Sequence, residues 1–362
     1  MDHRATLSDR CDLNDLQEIA LRINHECNLN CAMCGQKNFH RDKEPGYIKN
    51  QLTANDVRGL IAGRPELAGK WLYIMGGEPF LNPDLFEIIC CVKKLRMLCC
   101  VNTNGTFLSH RVDEFLATGI DVVMVSIDGL EKDHDSFRGK QGAFAAAVEG
   151  IRAIQNRRRL RPVVFINCIV TESNVDHLCD VAEFFTGLHV NRVNFILPLF
   201  LTMKTGRMQQ RIMKEHFGFD TQFWKWFVHE PPRFETGVLR AQIASVQQRF
   251  ATCRFNPDPS SIDLEAFFVH PERSFREGRE ETCRVPWRVL EVLANGDVTT
   301  CRDLNDFVVG NIRRESLDAI WNGKLMREYR AYIAAKGLFP ICNRCCQRDG
   351  YQTEESRAYV VR

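Results

Sequence analysis

Between residues 18 and 198, short apolar runs alternate with longer stretches whose apolar positions recur every three or four residues. A short run rich in β-branched and aromatic residues reads as a strand, and the 3.6-residue period reads as an amphipathic helix. The strand candidates are "IALRIN" (19–24), "WLYIM" (71–75), "LCCVNT" (98–103), "VVMVSI" (122–127), "VVFINCIV" (163–170) and "RVNFIL" (192–197). The helical stretches between them are "LTANDVRGLIAG", "PDLFEIICCVKKL", "RVDEFLATG", "AFAAAVEGIRAIQNR" and "NVDHLCDVAEFFTG". Each opens on a polar or Pro-containing segment and several close on Gly, as helix ends do. Six β–α repeats predict an α/β fold, a partial (β/α)6 TIM-like barrel around a parallel sheet, with its chemistry at the C-terminal ends of the strands.

After residue 198 the pattern changes. Residues 199–275, including "QFWKWFVHEPPRF", read as a helical bridge whose aromatics pack between domains. Further on, "WRVLEVLANGDVTTC" predicts a β-hairpin, because Asn295-Gly296 readily takes the positive φ angles of a tight turn. "SLDAIWNGKLMREYRAYIAAK" then reads as one helix, followed by the cysteine-dense "CNRCC". The expected organisation is an N-terminal extension (1–17), the barrel (18–205), the bridge (206–275), a small cysteine-bearing domain (276–352) and a C-terminal tail (353–362).

Composition narrows the function classes. The chain has 362 residues, with 48 basic against 46 acidic side chains and a net charge of +2. That balance gives no general attraction to nucleic acid or anionic membranes. Nothing in the sequence reaches the roughly 18 apolar residues of a membrane span. The polar start "MDHRATLSDRCDLNDLQ" lacks the order of a signal peptide, so a cytoplasmic protein is expected. Sixteen cysteines in a reducing compartment are metal ligands, catalytic groups or buried small hydrophobes rather than a disulfide framework. Cys90, Cys91, Cys99, Cys100, Cys168 and Cys179 fall in apolar patterns and read as buried thiols. The basic run "NRRRLR" (156–161) reads as a solvated helix end.

Two cysteine groups stand apart. Cys27, Cys31 and Cys34, in "HECNLNCAMCGQ", directly follow the first strand. A structural zinc site takes four closed ligands, whereas three cysteines can hold three irons of a [4Fe–4S] cluster and leave the fourth open. The second group, Cys283, Cys301, Cys342 and Cys345, is a complete set of four. Its spacing alone permits either a zinc ribbon or a fully ligated iron–sulfur cluster.

The spacing C-x3-C-x2-C resembles the signature of the radical S-adenosylmethionine (SAM) superfamily, and other matches follow in order: "MGGEP" (75–79), "NTNG" (102–105), "SIDG" (126–129) and "HDSFRGKQGAF" (134–144). The resemblance implies a [4Fe–4S] cluster on the three cysteines that binds SAM and, when reduced, cleaves it to methionine and a 5′-deoxyadenosyl radical. It implies cofactor contacts at Gly76, Gly77, Glu78, Pro79, Asn104, Ser126, Asp128, Asn167 and Leu197, with Arg138 at the methionine carboxylate.

The second group is similar to the auxiliary-cluster region called SPASM, or its shorter twitch form. Only Cys346 follows it, which implies a single auxiliary [4Fe–4S] cluster acting as electron relay or acceptor. Radical epimerases of the superfamily use a cysteine as hydrogen donor, a role for which Cys253 is the candidate. The expected activity is hydrogen abstraction from an unactivated C–H bond of a small natural product of sugar, aminoglycoside or nucleoside type. Oxidation with the auxiliary cluster as acceptor leads over epimerisation or decarboxylation. A cluster loop beginning at residue 27 leaves no room for a preceding leader-binding domain, so modification of a ribosomal peptide is the alternative. A structural metal-cluster binding protein is the non-enzyme alternative. A flavodoxin- or ferredoxin-type electron donor is the implied protein partner.

Overall fold

The computed structural model describes residues 11–35, 46–158, 160–270, 272, 283–345 and 357–360. Each of the six apolar runs forms a strand: β1 (Glu18–Arg22), β2 (Trp71–Met75), β3 (Leu98–Thr103), β4 (Val122–Ser126), β5 (Val163–Ile169) and β6 (Arg192–Ile196). Consecutive strands pair in parallel. The intervening helices are α1 (Ala54–Ile61), α2 (Leu85–Lys94), α3 (Val112–Ala117), α4 (Glu131–Arg138), α5 (Ala143–Arg157) and α6 (Leu178–Gly187). Their ends follow local chemistry. Thr53 and Asp56 form a reciprocal capping box at the start of α1, and α4 stops at Gly139, whose φ of +63° suits a residue without Cβ.

The sheet extends beyond these six strands on both sides. β7 (Cys253–Asn256) adds in parallel to β6, and β8 (Val289–Val292) adds in parallel to β1. The expected hairpin is present as β8 and β9 (Asp297–Thr299), antiparallel, with β10 (Val308–Asn311) outside it. The strand order is β10-β9-β8-β1-β2-β3-β4-β5-β6-β7, an unclosed barrel whose two end strands do not pair. The bridge is helical in α7 (Met203–Phe217), α8 (Thr236–Arg249) and α9 (Leu264–Val269), yet it also supplies β7. That strand escapes sequence reading because "CRFN" is too short to show a period. The stretch expected as one helix is two, α10 (Leu317–Trp321) and α11 (Lys324–Lys336), broken at Asn322-Gly323. Among the described residues, no helix is long and apolar enough to cross a membrane.

Alternation along the strands separates two faces. Ile19, Leu21, Leu72, Ile74, Val101, Val123 and Ile166 pack with the helices in the main core. The opposite face lines the lumen with Ala20, Trp71, Tyr73, Cys100, Met124 and Phe165. One step towards the C-terminal ends, the lumen positions become polar: Arg22, Asn102, Ser126 and Asn167. At the other pole, residues 357–360 form a helical turn that closes the lumen. There Tyr359 meets Phe165 edge-on at 5.3 Å, Arg192 lies 4.9 Å over the Tyr359 ring, and Val360 is buried. Among the described residues, this turn caps the lumen at one pole, with Arg192 against its aromatic rings, and polar side chains line the other.

Candidate functional site

The loop carrying Cys27, Cys31 and Cys34 leaves the C-terminal end of β1 at the polar pole. Two neighbouring segments hold its backbone. On one side Gly77 N–H donates to Asn24 O at 3.0 Å, and Glu78 N–H donates to Glu26 O at 2.7 Å. A Cβ on Gly77 would lie 2.1 Å from Glu26 O, and one on Gly76 would lie 2.3 Å from Asn24 Oδ1. The glycine pair thus lets the end of β2 press against the start of the loop. On the other side Asn30 N–H donates to Arg138 O and Ala32 N–H to Phe137 O, both at 3.1 Å, so the loop also hangs on the last turn of α4.

Side chains at strand ends reach the thiols. Asn104 Nδ2 donates to Asn28 Oδ1 at 2.8 Å and points to Cys27 Sγ at 3.9 Å. Glu78 fixes Asn104. Fully buried, its carboxylate accepts from Thr103 Oγ1 at 2.6 Å, from Asn104 N–H at 2.8 Å and from Phe80 N–H at 3.2 Å. Burial pushes the Glu78 carboxyl up to about 7, against the pull of those hydrogen bonds. Arg138 Nη1 donates to Cys31 Sγ at 3.8 Å, while Nη2 is paired with Asp128 Oδ2 at 2.5 Å. Asp128 is itself immobilised: Oδ1 accepts from Ile169 N–H at 2.9 Å, and its own N–H donates to His134 Nδ1 at 3.1 Å. Burial raises the Cys31 thiol, opposed by Arg138. Desolvation likewise raises Cys27, and the charges of Glu78, Cys31 and Cys34 add to it, so the three thiols are electrostatic neighbours.

The lumen rim beside the loop is a polar arc. Ser126 Oγ donates to Asn102 Oδ1 at 3.2 Å, and Asn194 Nδ2 donates to Asn167 Oδ1 at 2.9 Å. Sequence reasoning alone does not single out Asn194, and it places Asn102 in a motif without assigning it a contact. Their signal is an amide at an inward position of an otherwise apolar strand. Pro79 starts a buried 3-10 turn, Pro79–Leu81. Leu197 is buried and its N–H donates to Asn256 O at 2.9 Å.

Cys253, the candidate hydrogen donor, is not brought to this place. It opens β7 in register with Val193, and both side chains belong to the helix-covered core rather than the lumen. Burial there pushes its thiol up to about 12. Cys346 lies outside the described residues.

The second cysteine group converges. Cys283, Cys301, Cys342 and Cys345 line one cavity with Arg302, Asp303 and apolar side chains that include Tyr329 and Ile341. Asp303 N–H donates to Cys301 Sγ at 3.5 Å, and Cys345 Sγ donates to Asp303 Oδ2 at 3.7 Å. Burial holds the Cys301 thiol well above its ordinary value. A buried ionic chain joins this cavity to the lumen. Arg302 pairs with Glu18 at 2.6 Å and Glu291 at 3.2 Å, and Arg22 pairs with Glu291 at 3.0 Å. The Arg302 guanidinium also lies 4.4 Å over the Tyr73 ring.

Among the described residues, no three or more His, Cys, Asp or Glu side chains close on one point as around a bound ion. The donor sets nevertheless suit iron–sulfur clusters. Three neighbouring thiols lie at the lumen rim, where Cys27 and Cys31 meet N–H donors, and four thiols share a largely apolar cavity. Arg138 Nε is buried and has no hydrogen-bond partner, a donor left over for an anionic group beside the three-cysteine loop.

Comparison with known proteins agrees with this geometry. Residues 21–185 match the Radical SAM superfamily, and residues 283–346 match SPASM, an iron-sulfur cluster-binding domain. The chain is 29% identical over 195 residues to an AdoMet-dependent heme synthase of Oleidesulfovibrio alaskensis, covering 53% of this chain and 47% of that one, about half its length. It is 27% identical over 329 residues to the AdoMet-dependent heme synthase of Methanosarcina barkeri, covering 90% of this chain and 87% of that one. Among solved structures, native anSMEcpe with bound AdoMet and the Cp18Cys peptide superposes with a TM-score of 0.60 at 17% identity, covering 96% of this chain and 97% of that one. At that identity the likeness shows the fold.

Proposed function

From a chain that belongs to the radical SAM superfamily and carries a SPASM domain towards its C-terminus, we propose an enzyme that oxidises a C–H bond of a small-molecule substrate in the barrel lumen. Bound there, the cluster and SAM supply the electron and the 5′-deoxyadenosyl radical for hydrogen abstraction, and an auxiliary cluster supplies an acceptor for the electron left on the substrate. Cys27, Cys31 and Cys34 are the proposed ligands of the SAM-binding cluster, and Cys283, Cys301, Cys342 and Cys345 those of a single auxiliary cluster.

The chain's own residues prepare the site in three ways. The glycine pair and α4 fix the three-cysteine loop from two sides. The Asn102, Ser126, Asn167 and Asn194 arc offers hydrogen bonds to a polar cofactor at the rim. The packed lumen floor, closed by Tyr359 and Val360, keeps water from the reacting centre. The observation that carries the oxidative reading is the four-thiol cavity, joined to the lumen through Arg302, Glu291 and Arg22. The place of Cys253 in the helix-covered core supports this reading over a redox-neutral one.

Alignment along nearly the whole chain with a protein named a heme synthase supports a small-molecule substrate and widens the range beyond the sugar type. Peptide modification is the second reading, favoured by the fold shared with a peptide-bound enzyme over 96% of this chain. The test is anaerobic turnover of the reconstituted protein in deuterated solvent with candidate substrates, following 5′-deoxyadenosine and product together. Oxidation gives deoxyadenosine in proportion to product that has lost two hydrogens and gained no solvent deuterium. Deuterium at the reacting carbon of a redox-neutral product overturns the oxidative reading, and a modified peptide with no small-molecule turnover overturns the substrate class.

A further inference from the structure

Arg138 is held in a way that binding a cofactor carboxylate does not require. Its backbone carbonyl accepts from Asn30 and its guanidinium donates to Cys31, so main chain and side chain of one residue grip adjacent positions of the cysteine loop. Its other terminal nitrogen is paired with Asp128, whose second oxygen is tied to Ile169 N–H. The side chain is only 14% exposed. Loop, guanidinium and carboxylate therefore form one rigid assembly in which the contact to the Cys31 sulfur is built in.

On the reading that this loop holds a [4Fe–4S] cluster, we infer that Arg138 is a positioning residue that sets the reduction potential of that cluster through Cys31, before SAM is bound. The physical reason is the direction of charge. Reduction adds an electron delocalised onto the cluster sulfurs, and an N–H donor on a ligating sulfur stabilises the more negative state. The ion pair with Asp128 cancels much of the guanidinium's long-range field and leaves the short-range N–H···S contact as the main effect. Asn104 makes the corresponding neutral contact to Cys27, so Cys27 and Cys31 carry side-chain donors of different strength.

The test is an EPR-monitored redox titration of the reconstituted full-length protein without SAM. The loop cluster is identified as the signal that changes when SAM is added to a parallel sample. In Arg138→Gln the midpoint moves to a more negative value by about 60 mV, a tenfold change in a one-electron equilibrium. Asp128→Asn uncovers the guanidinium charge and moves the midpoint the other way. An Arg138→Gln protein with full iron content, an unchanged midpoint and weakened SAM binding overturns the inference and leaves Arg138 as a carboxylate anchor alone. Should Arg138→Gln fail to hold iron, Asp128→Asn decides, because an unshifted midpoint there also overturns it. A wild-type protein with no SAM-sensitive cluster signal is a separate failure, of the proposed function itself.

Discussion

Arg302 Nη2 donates to Glu18 Oε1 at 2.6 Å, across 284 positions of sequence, and so ties the residue after Cys301 to the first strand of the barrel. Glu18, Glu291 and Arg22 are buried and Arg302 is largely so, four charges in one chain. Removing one partner of a buried pair leaves a charge without compensation, at about 3–5 kcal/mol. Arg302→Met is therefore expected to lower stability by that order in urea denaturation, and Glu18→Gln added to it recovers part of the loss. A single variant as stable as wild type would show that the chain contributes nothing to docking the hairpin on β1.

Gly77 gives a sharper steric expectation. A Cβ there meets Glu26 O at 2.1 Å and His25 O at 2.5 Å, both backbone atoms that no rotamer change can move aside. Gly77→Ala must separate β2 from the cysteine loop and break the Glu78 N–H···O Glu26 bond of 2.7 Å. The expected cost is about 1–3 kcal/mol of stability, together with reduced iron uptake at the three-cysteine site. Iron and sulfide analysis of the variant, compared with Gly63→Ala, checks it. Gly63 has positive φ, but a Cβ added there would find nothing within 4 Å, so that change strains the backbone without touching the loop.

The legible parts of this molecule are those that recur or cluster. β1 to β6 can be read because Val, Ile and Leu runs repeat at regular intervals, and the cysteine groups because their spacing is short. Asn194 stays hidden, and Asn102 is visible only as part of its motif, since an amide inside a strand points to lumen or solvent according to a register that only strand pairing fixes. The side of β7 on which Cys253 lies is hidden for the same reason: four residues carry no usable alternation, and pairing with β6 turns the thiol to the helices. Arg302 joins Glu291 to Glu18, which lies 284 positions from Arg302, beyond any local pattern. Arg138 is visible in its motif, but its partners Asp128 and Cys31 need the fold.

His134 predicts an acid limit to stability. It is completely buried and its Nδ1 accepts from Asp128 N–H, and burial, with the Arg138 charge second, lowers it from 6.5 to about 4. The unfolded chain takes up this proton near pH 6.5 and the folded one only near pH 4. Its contribution is thus complete above pH 6.5 and is lost as pH falls through that window, at up to roughly 1.4 kcal/mol per pH unit. Denaturation midpoints of wild type should fall from pH 6.5 to pH 4 more steeply than those of His134→Gln. Parallel curves would assign the acid sensitivity elsewhere.

The two cysteine groups should be separable by iron content. Two four-iron clusters give about eight irons per chain. Cys31→Ala removes one of the three proposed ligands at the lumen rim and is expected to leave about four irons and no deoxyadenosine. Cys342→Ala opens the four-thiol cavity, whose walls share no thiol with the loop. It should also leave about four irons, but with SAM cleavage retained and the oxidised product lost, if the second cluster is the proposed acceptor and the loop the proposed radical source. Equal loss of deoxyadenosine in both variants would mean that the cavity supports the loop structurally, and would remove the acceptor role from the second cysteine group.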